Sequence, residues 1–396
     1  MNWKTAQLQT EGAISIPKSW LHLHYYEALN ILFRSENALR VFVYISLKNN
    51  HFDKWSETTI QSSDNEQSTI MALARKRIAQ AEGFGYLGYE IKSPLMHLNS
   101  GELVRLITSD ACWDKIFKSY FKGKREIIKT KLDEVGTVRN SLAHFRPIKY
   151  DDIELIKQNV KHALIGVEEC LSEMIQTNNV VPTNTKEDWY KSLKTCGTDL
   201  CEIQIFQSNN EKWIRIQITF KSKILKTDTW WAEYMSYTIL NLISPAIIKS
   251  YESIRKYVTY VTEFIPYAPI NNDLTPTFTK TVSFTFRRDV LISKEQDIGA
   301  DIKNMFLKIQ EEVALVEQDN LAKGDLIETA RTSAQLNRQT NSWGTSSETL
   351  KCPFREDDPA EYWGDVGLYQ SDFITGASKY PWMPSSISEK ENPFDF

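Results

Sequence analysis

The sequence predicts an α+β protein in which an all-α N-terminal half precedes an α+β C-terminal half. Apolar residues recur three and four positions apart over about 20–176, whereas alternating apolar and polar residues appear only after residue 200. A polar stretch containing Pro182 separates the two patterns. The length of 396 residues also favours two cores over one. We therefore predict a helical domain over 1–177, an α+β domain over 178–336 and a polar tail over 337–396.

Four or five helices are predicted in the N-terminal half. One segment ends before Pro147 and repeats apolar residues at steps of four, three, three and four: Ile128, Leu132, Val135, Val138 and Leu142. The next segment opens at Asp151 and Asp152, and its apolar stripe runs Ile153, Ile156, Val160, Ala163, Leu164, Val167 and Leu171. Upstream, Asn99 or Ser100 is a candidate N-cap, with Glu102 in the first turn.

The C-terminal half contains a predicted β-hairpin, CEIQIFQ followed by KWIRIQITFK, with SNNE between the strands. Two further strands are predicted within VTYVTEFIPY and TKTVSFTFRRDV. Between these pairs we predict a helix around 230–256 that Pro245 would interrupt, and a helical, charged segment over 295–336. No motif in this half indicates a function.

Composition excludes several classes of protein. The net charge of −4 excludes a polycation that binds nucleic acid through bulk charge, so any such site must be a local patch. The five cysteines form no C-x-x-C pair, which argues against structural zinc and fits a reducing compartment. No apolar stretch approaches the roughly 20 residues of a membrane span, and the first residues do not resemble a signal peptide. A cytoplasmic protein without metal or cofactor is expected.

One short motif carries chemistry: Arg139 and Asn140, followed by His144, at the end of an amphipathic helix and with a second such helix directly after it. This arrangement resembles the HEPN superfamily, whose ribonuclease members carry an R-x4–6-H motif. The resemblance covers about residues 20–176. It implies a helical bundle, RNA as substrate, Arg139, His144 and Asn140 as site residues, and a homodimer in which two motifs face each other.

The residue types suit metal-independent cleavage of RNA. Histidine can move protons near neutral pH, and the arginine fork can hold the charge that develops on the phosphorus. On an ideal helix, however, five residues rotate by about 140°, so Arg139 and His144 would not share a face. Either the helix frays before Pro147 or a second subunit completes the site. The competing interpretation is that both cations interact with the C-terminal end of the helix dipole; Asn140 could fix the histidine, touch phosphate or be an ordinary surface residue.

A basic run precedes the motif. We predict that RNA is bound by a subset of it: Lys122, Lys124, Arg125, Lys129 and Lys131. Tyr120 and Phe121 lie in the same run and either stack on bases or turn into the core.

The first hypothesis is therefore an endoribonuclease with a toxin-like or antiviral role that only the resemblance implies, and whose C-terminal half responds to a protein or ligand trigger. The alternatives are a non-catalytic dimerisation or binding module, and a regulator that binds RNA without cutting it.

Overall fold

The computed structural model describes most of the chain as far as residue 352. The described residues are 7–8, 14–15, 25–61, 67–82, 94–144, 146–175, 177, 181–182, 185–231, 234–265, 276–319, 323–337, 339, 342–345 and 350–352. Much of the predicted interdomain linker, and residues 353–396 of the predicted tail, lie outside these ranges.

The N-terminal half is built mainly of helices. Its helices are α1 (Tyr25–His51), α2 (Ile70–Glu82), α3 (Ser100–Ile107), α4 (Arg125–Ala143) and α5 (Tyr150–Ile175). Short 3-10 helices cover Phe52–Glu57, Pro94–His97 and Lys118–Tyr120, and a π-helix covers Trp113–Phe117. Two small antiparallel hairpins join β1 (Gln7–Leu8) to β2 (Ile14–Ser15) and β3 (Thr59–Gln61) to β4 (Gln67–Thr69).

The predicted apolar stripes form the core of this bundle. All seven stripe residues of α5 are buried, and so are four of the five on α4, with Val135 partly buried beside them. Helix α4 lies against α5, α3 and α1. The capping prediction is confirmed for Asn99: its side chain accepts from the Glu102 backbone N–H, and the Glu102 carboxylate accepts from the Asn99 backbone N–H. These contacts hold α4, which carries the predicted motif, against its neighbours.

The C-terminal half contains two four-stranded antiparallel sheets. Its strands are β5 (Cys201–Gln207), β6 (Trp213–Lys221), β7 (Ile224–Trp231), β8 (Tyr234–Leu242), β9 (Tyr260–Phe264), β10 (Thr279–Arg287), β11 (Ile327–Asn337) and β12 (Ser342–Thr345). The first sheet has the order β5-β6-β10-β9 and the second the order β12-β11-β8-β7. The predicted hairpin is confirmed, with Gln207 paired to Ile214.

Helices cover these sheets and contribute to the second core. They are α6 (Asp188–Lys194), α7 (Ser244–Ser250), α8 (Glu252–Tyr257), α9 (Arg288–Ser293) and α10 (Glu295–Glu317). Overall, the α+β class is confirmed, with helices dominating the first half and two sheets in the second.

The predicted helix around 230–256 is wrong up to Leu242 and correct for α7 and α8 beyond it. The hairpin β7–β8 occupies 224–231 and 234–242, and helix begins only at Ser244. Strand β8 is buried along most of its length, so its run of apolar residues lacks the alternation that marks a half-exposed strand. Pro245 does not interrupt a helix; it lies in the first turn of α7, where its missing N–H has no intrahelical partner to lose.

The helical prediction for 295–336 is correct for α10 and wrong beyond it. Helix α10 ends at Glu317, and β11 then pairs with β8 across the middle of the second sheet. The polar residues of β11 lie largely on one exposed side, which the charged composition obscured. Strand β12 and residues 350–352 come from the predicted tail, and both pack against this sheet region.

Candidate active site at the end of α4

Arg139 lies in the last two turns of α4 and faces α1. Its side chain is 41% exposed, and its Nε lies 3.8 Å from Oε2 of Glu36. At that distance the pair is a loose electrostatic contact and not a tight hydrogen-bonded clamp. The guanidinium therefore keeps donors available for another group.

Glu36 also binds groups from two other parts of the bundle. Its Oε1 accepts from Arg40 one turn later on α1, and its Oε2 accepts from the Ser100 hydroxyl at the start of α3. Arg40 in turn donates to the Leu98 carbonyl over 3.0 Å. Burial lowers the pKa of Arg40, an effect that Glu36 opposes and nearby Arg139 reinforces. Glu36 thus links Arg40 to the first turn of α3 and lies near Arg139.

A cavity of about 300 Å³ opens beside Arg139 and Asn140. It lies between the first turns of α3 and the last turns of α4. The residues that line it are Asn99, Ser100, Gly101, Val104, Leu132, Asp133, Gly136, Thr137, Arg139 and Asn140. Its wall at Gly136 is open, since a Cβ built there would meet nothing within 4 Å. A polar group entering this cavity can reach both Arg139 and Asn140.

His144 forms the C-cap of α4 and is exposed. Its backbone N–H donates to the Asn140 carbonyl over 3.2 Å, and the Arg146 N–H donates to the Ser141 carbonyl over 2.9 Å. The helix is regular through Ala143, so fraying does not bring His144 round to the face of Arg139. On a helix that is regular through Ala143, a spacing of five residues places Arg139 and His144 about 140° apart around the axis.

The predicted RNA-binding residues do not form one bare patch. Lys122 pairs with Glu169 at 3.1 Å, and Arg125 pairs with Asp110. Lys124 is the exposed N-cap residue of α4, Lys129 is exposed and Lys131 is partly buried. The acidic partners neutralise part of the positive charge that the sequence placed here.

A second cavity, of about 590 Å³, groups the cations differently. It lies between the start of α4, the end of α3 and the β3–β4 hairpin, and Arg105, Arg125 and Lys129 all line it. Arg105 donates from Nε to the Gln61 carbonyl over 3.0 Å. Sequence reasoning missed Arg105, although it is a lone cation on an amphipathic helix.

Phe121 belongs to the core, and Tyr120 packs against the core while it stays partly exposed. Phe121 is buried and stacks on Trp113, with ring centroids 5.6 Å apart. Tyr120 packs edge-on against Phe42 at 5.0 Å. Burial raises the pKa of Tyr120 to about 12. Phe121 is therefore not free to stack on a base, whereas Tyr120 also lines a cavity at the surface.

Glu36 was also missed from the sequence. Its spacing of four residues from Arg40 is a recognisable helical ion-pair pattern, and it interrupts an apolar stripe. Nothing local, however, connects it to Ser100 or Arg139, which lie 64 and more residues away along the chain.

Comparison with known proteins provides no family: no family model, curated protein or solved structure matches the chain. Within the described residues, no group of three or more His, Cys, Asp or Glu side chains is arranged to hold a metal ion. No helix of the described part is long and apolar enough to cross a membrane.

Proposed function

We propose that the N-terminal half is a HEPN-type ribonuclease module that cleaves RNA without a metal, with Arg139 and His144 as its catalytic pair. The observation that carries the proposal is the position and exposure of the Arg139 side chain. Its guanidinium lies near Glu36, is partly exposed, and lines a cavity together with Asn140. A scissile phosphate in that cavity would receive charge-assisted hydrogen bonds from Arg139.

In this proposal His144 moves the proton. An exposed imidazole at a helix end can act as general base toward the 2′-hydroxyl or as general acid toward the leaving oxygen. The reaction would leave a 2′,3′-cyclic phosphate and a 5′-hydroxyl. The 2′-hydroxyl restricts cleavage to RNA.

The helix geometry supports a site shared between two copies of the chain. Because α4 stays regular through Ala143, Arg139 and His144 of one protomer diverge. Pairing the α4 ends of two protomers would place the histidine of each beside the arginine of the other. A homodimer through this half is therefore part of the proposal, together with a toxin-like or defence role in the cell and a C-terminal half that responds to a protein or ligand trigger.

The first test is cleavage of labelled single-stranded RNA and tRNA in EDTA. Wild type should cleave and leave cyclic phosphate ends, whereas Arg139→Ala and His144→Ala should not. His162→Ala is the matched control, because His162 is an exposed histidine on α5 away from the motif. Cleavage by all four proteins would exclude the assigned pair.

A complementation assay then tests the shared site. Arg139→Ala and His144→Ala protomers are unfolded together, refolded and assayed as a mixture. If each site takes its arginine from one protomer and its histidine from the other, every mixed dimer contains one intact site and activity returns. If both residues act within one chain, the mixture stays inactive.

A non-catalytic binding module is favoured by one observation, the ion pair between Arg139 and Glu36, which could be structural. In that case wild type would bind RNA or a protein partner without cleaving RNA, and Arg139→Ala would change stability alone.

A further inference from the structure

A lysine lies in the interior of the C-terminal half, between the two sheets. Lys280 on β10 has 1% of its side chain exposed, and Glu263 on the neighbouring strand β9 has 4%. The Lys280 Nζ lies 3.0 Å from Oε2 of Glu263. Burying an ammonium group is costly unless acceptors surround it.

Residues 350–352 supply some of the groups that surround the Lys280 ammonium and its partner Glu263. Lys280 donates to the Leu350 carbonyl over 2.8 Å and to Oδ1 of Asn241 over 3.3 Å. The Cys352 backbone N–H donates to Oε1 of Glu263 over 3.2 Å. The Ser244 hydroxyl donates to the other carboxylate oxygen. The cluster thus joins β8, β9 and β10 to residues 350–352.

The thiol of Cys352 is the unusual member of this cluster. Its Sγ lies 3.1 Å from the Lys280 Nζ, which is short for a contact to sulfur, and 3.7 Å from the Leu242 carbonyl. Cys352 is partly exposed, so a small oxidant can reach it, whereas Lys280 is held in place by the interior. No disulfide involves any of the five cysteines.

We propose that Cys352 and Lys280 form a modification site, at which hydrogen peroxide produces a covalent N–O–S bridge between the two side chains. Peroxide oxidises the Cys352 thiol to a sulfenic acid and releases water. A second peroxide replaces the sulfenic hydroxyl by a hydroperoxy group and releases another water.

The lysine then completes the bridge. Glu263 takes a proton from the Lys280 ammonium, and the free amine attacks the oxygen bonded to sulfur. The N–O bond forms, the O–O bond breaks, and the departing hydroxide takes the second amine proton as water. In sum, one thiol, one amine and two peroxides give the bridge and three waters, with two electrons lost at sulfur and two at nitrogen.

The bridge fastens the chain at residue 352 to the middle of the first sheet. Hydrogen bonds already attach residues 350–352 to the sheet. A covalent bond would keep them attached even in the unfolded protein. Burial raises the pKa of the Cys352 thiol, while Lys280 acts in the opposite direction. We therefore expect slow formation that needs sustained exposure to peroxide.

Mass spectrometry of the reduced and peroxide-treated full-length protein tests the proposal. The bridge adds one oxygen and removes two hydrogens, a gain of about 14 Da, whereas the ordinary steps of cysteine oxidation add about 16 Da each. Peptide sequencing should find Lys280 and Cys352 in one cross-linked species. Dithiothreitol should remove the mass gain, because two equivalents supply the four electrons.

Variants separate this bridge from oxidation elsewhere. Cys352→Ser should lose the mass gain, and Cys196→Ser should keep it, because the Cys196 thiol instead bonds the Ser192 carbonyl. The wild-type peptide map identifies the linked residues even if a Lys280 variant does not fold. Gains of about 16 Da per step at Cys352 without a cross-link, or no change at all, would overturn the proposal.

Discussion

Each half of the molecule contains a glutamate whose carboxylate binds both a serine hydroxyl and a cationic side chain. The two clusters, around Glu36 and around Glu263, differ in their exposure to solvent. Glu36 binds Ser100 and Arg40 and lies near Arg139, beside an open cavity. Glu263 binds Ser244 and Lys280 in an interior that residues 350–352 close.

The comparison shows how burial changes the contribution of the same set of groups to stability and to ligand binding. At Glu263 both the carboxylate and its cation are enclosed, so the ion pair contributes to stability only while both members are present. At Glu36 the outer arginine remains partly hydrated and can exchange its carboxylate contact for a ligand at little cost. The closed cluster is therefore expected to govern stability, and the open one to govern function.

The largest expected effect is at Lys280. Lys280→Ala leaves the Glu263 carboxylate buried without its cation and should lower the free energy of unfolding by about 3–5 kcal/mol. Urea unfolding followed by circular dichroism measures this. Lys223→Ala is the matched control, because its pair with Glu317 at 2.6 Å is 42% exposed and should contribute less than about 1 kcal/mol. Equal losses in both variants would remove the contrast between closed and open clusters.

A smaller effect is expected at Glu36. Glu36→Ala removes the carboxylate acceptor of the mostly buried Arg40 and of the Ser100 hydroxyl, and should cost about 1–3 kcal/mol of unfolding free energy. Chemical denaturation measures the loss. Glu154→Ala, which breaks an exposed pair with Lys157, is the control and should be close to neutral. A neutral Glu36→Ala would mean that water satisfies Arg40.

The smallest effect on stability is expected at Arg139. Because its contact with Glu36 is 3.8 Å long and partly exposed, Arg139→Ala should change the free energy of unfolding by less than about 1 kcal/mol. The same variant should lose RNA cleavage under the proposed function. Arg139→Lys keeps the charge without the fork and should be equally stable but impaired in cleavage. A loss of several kcal/mol would instead make Arg139 a structural residue.

Local pattern predicted the elements that are amphipathic. Helix α5 was predicted from a stripe whose seven residues are all buried, and the β5–β6 hairpin from clean alternation. Strand β8 was missed because burial on both faces leaves a continuous apolar run that fits helix or strand equally well. Strand β11 was missed for the opposite reason, since polar residues occupy its exposed positions and most of its length.

The position of the candidate site residues along the helix was predicted from the sequence, but most of their surroundings were not. The sequence placed Arg139, Asn140 and His144 at the end of a helix, and α4 ends there. The sequence also suggested more unpaired positive charge near the motif than the structure has. Lys122 and Arg125 pair with Glu169 and Asp110, which come from other segments of the chain, so local spacing could not reveal these pairs. The neighbours of Arg139 on α1 and α3 could not be read from local spacing.

By itself the sequence determined the division into a helical half and a β-rich half, and the five-residue spacing that separates Arg139 from His144 on a regular helix. These follow from hydrogen bonding and periodicity within a few turns of chain. The tertiary structure alone decided that Glu36 lies beside Arg139, and that Lys280 meets Cys352 across 72 residues. Such contacts depend on which faces pack and in what register, and no local pattern specifies either.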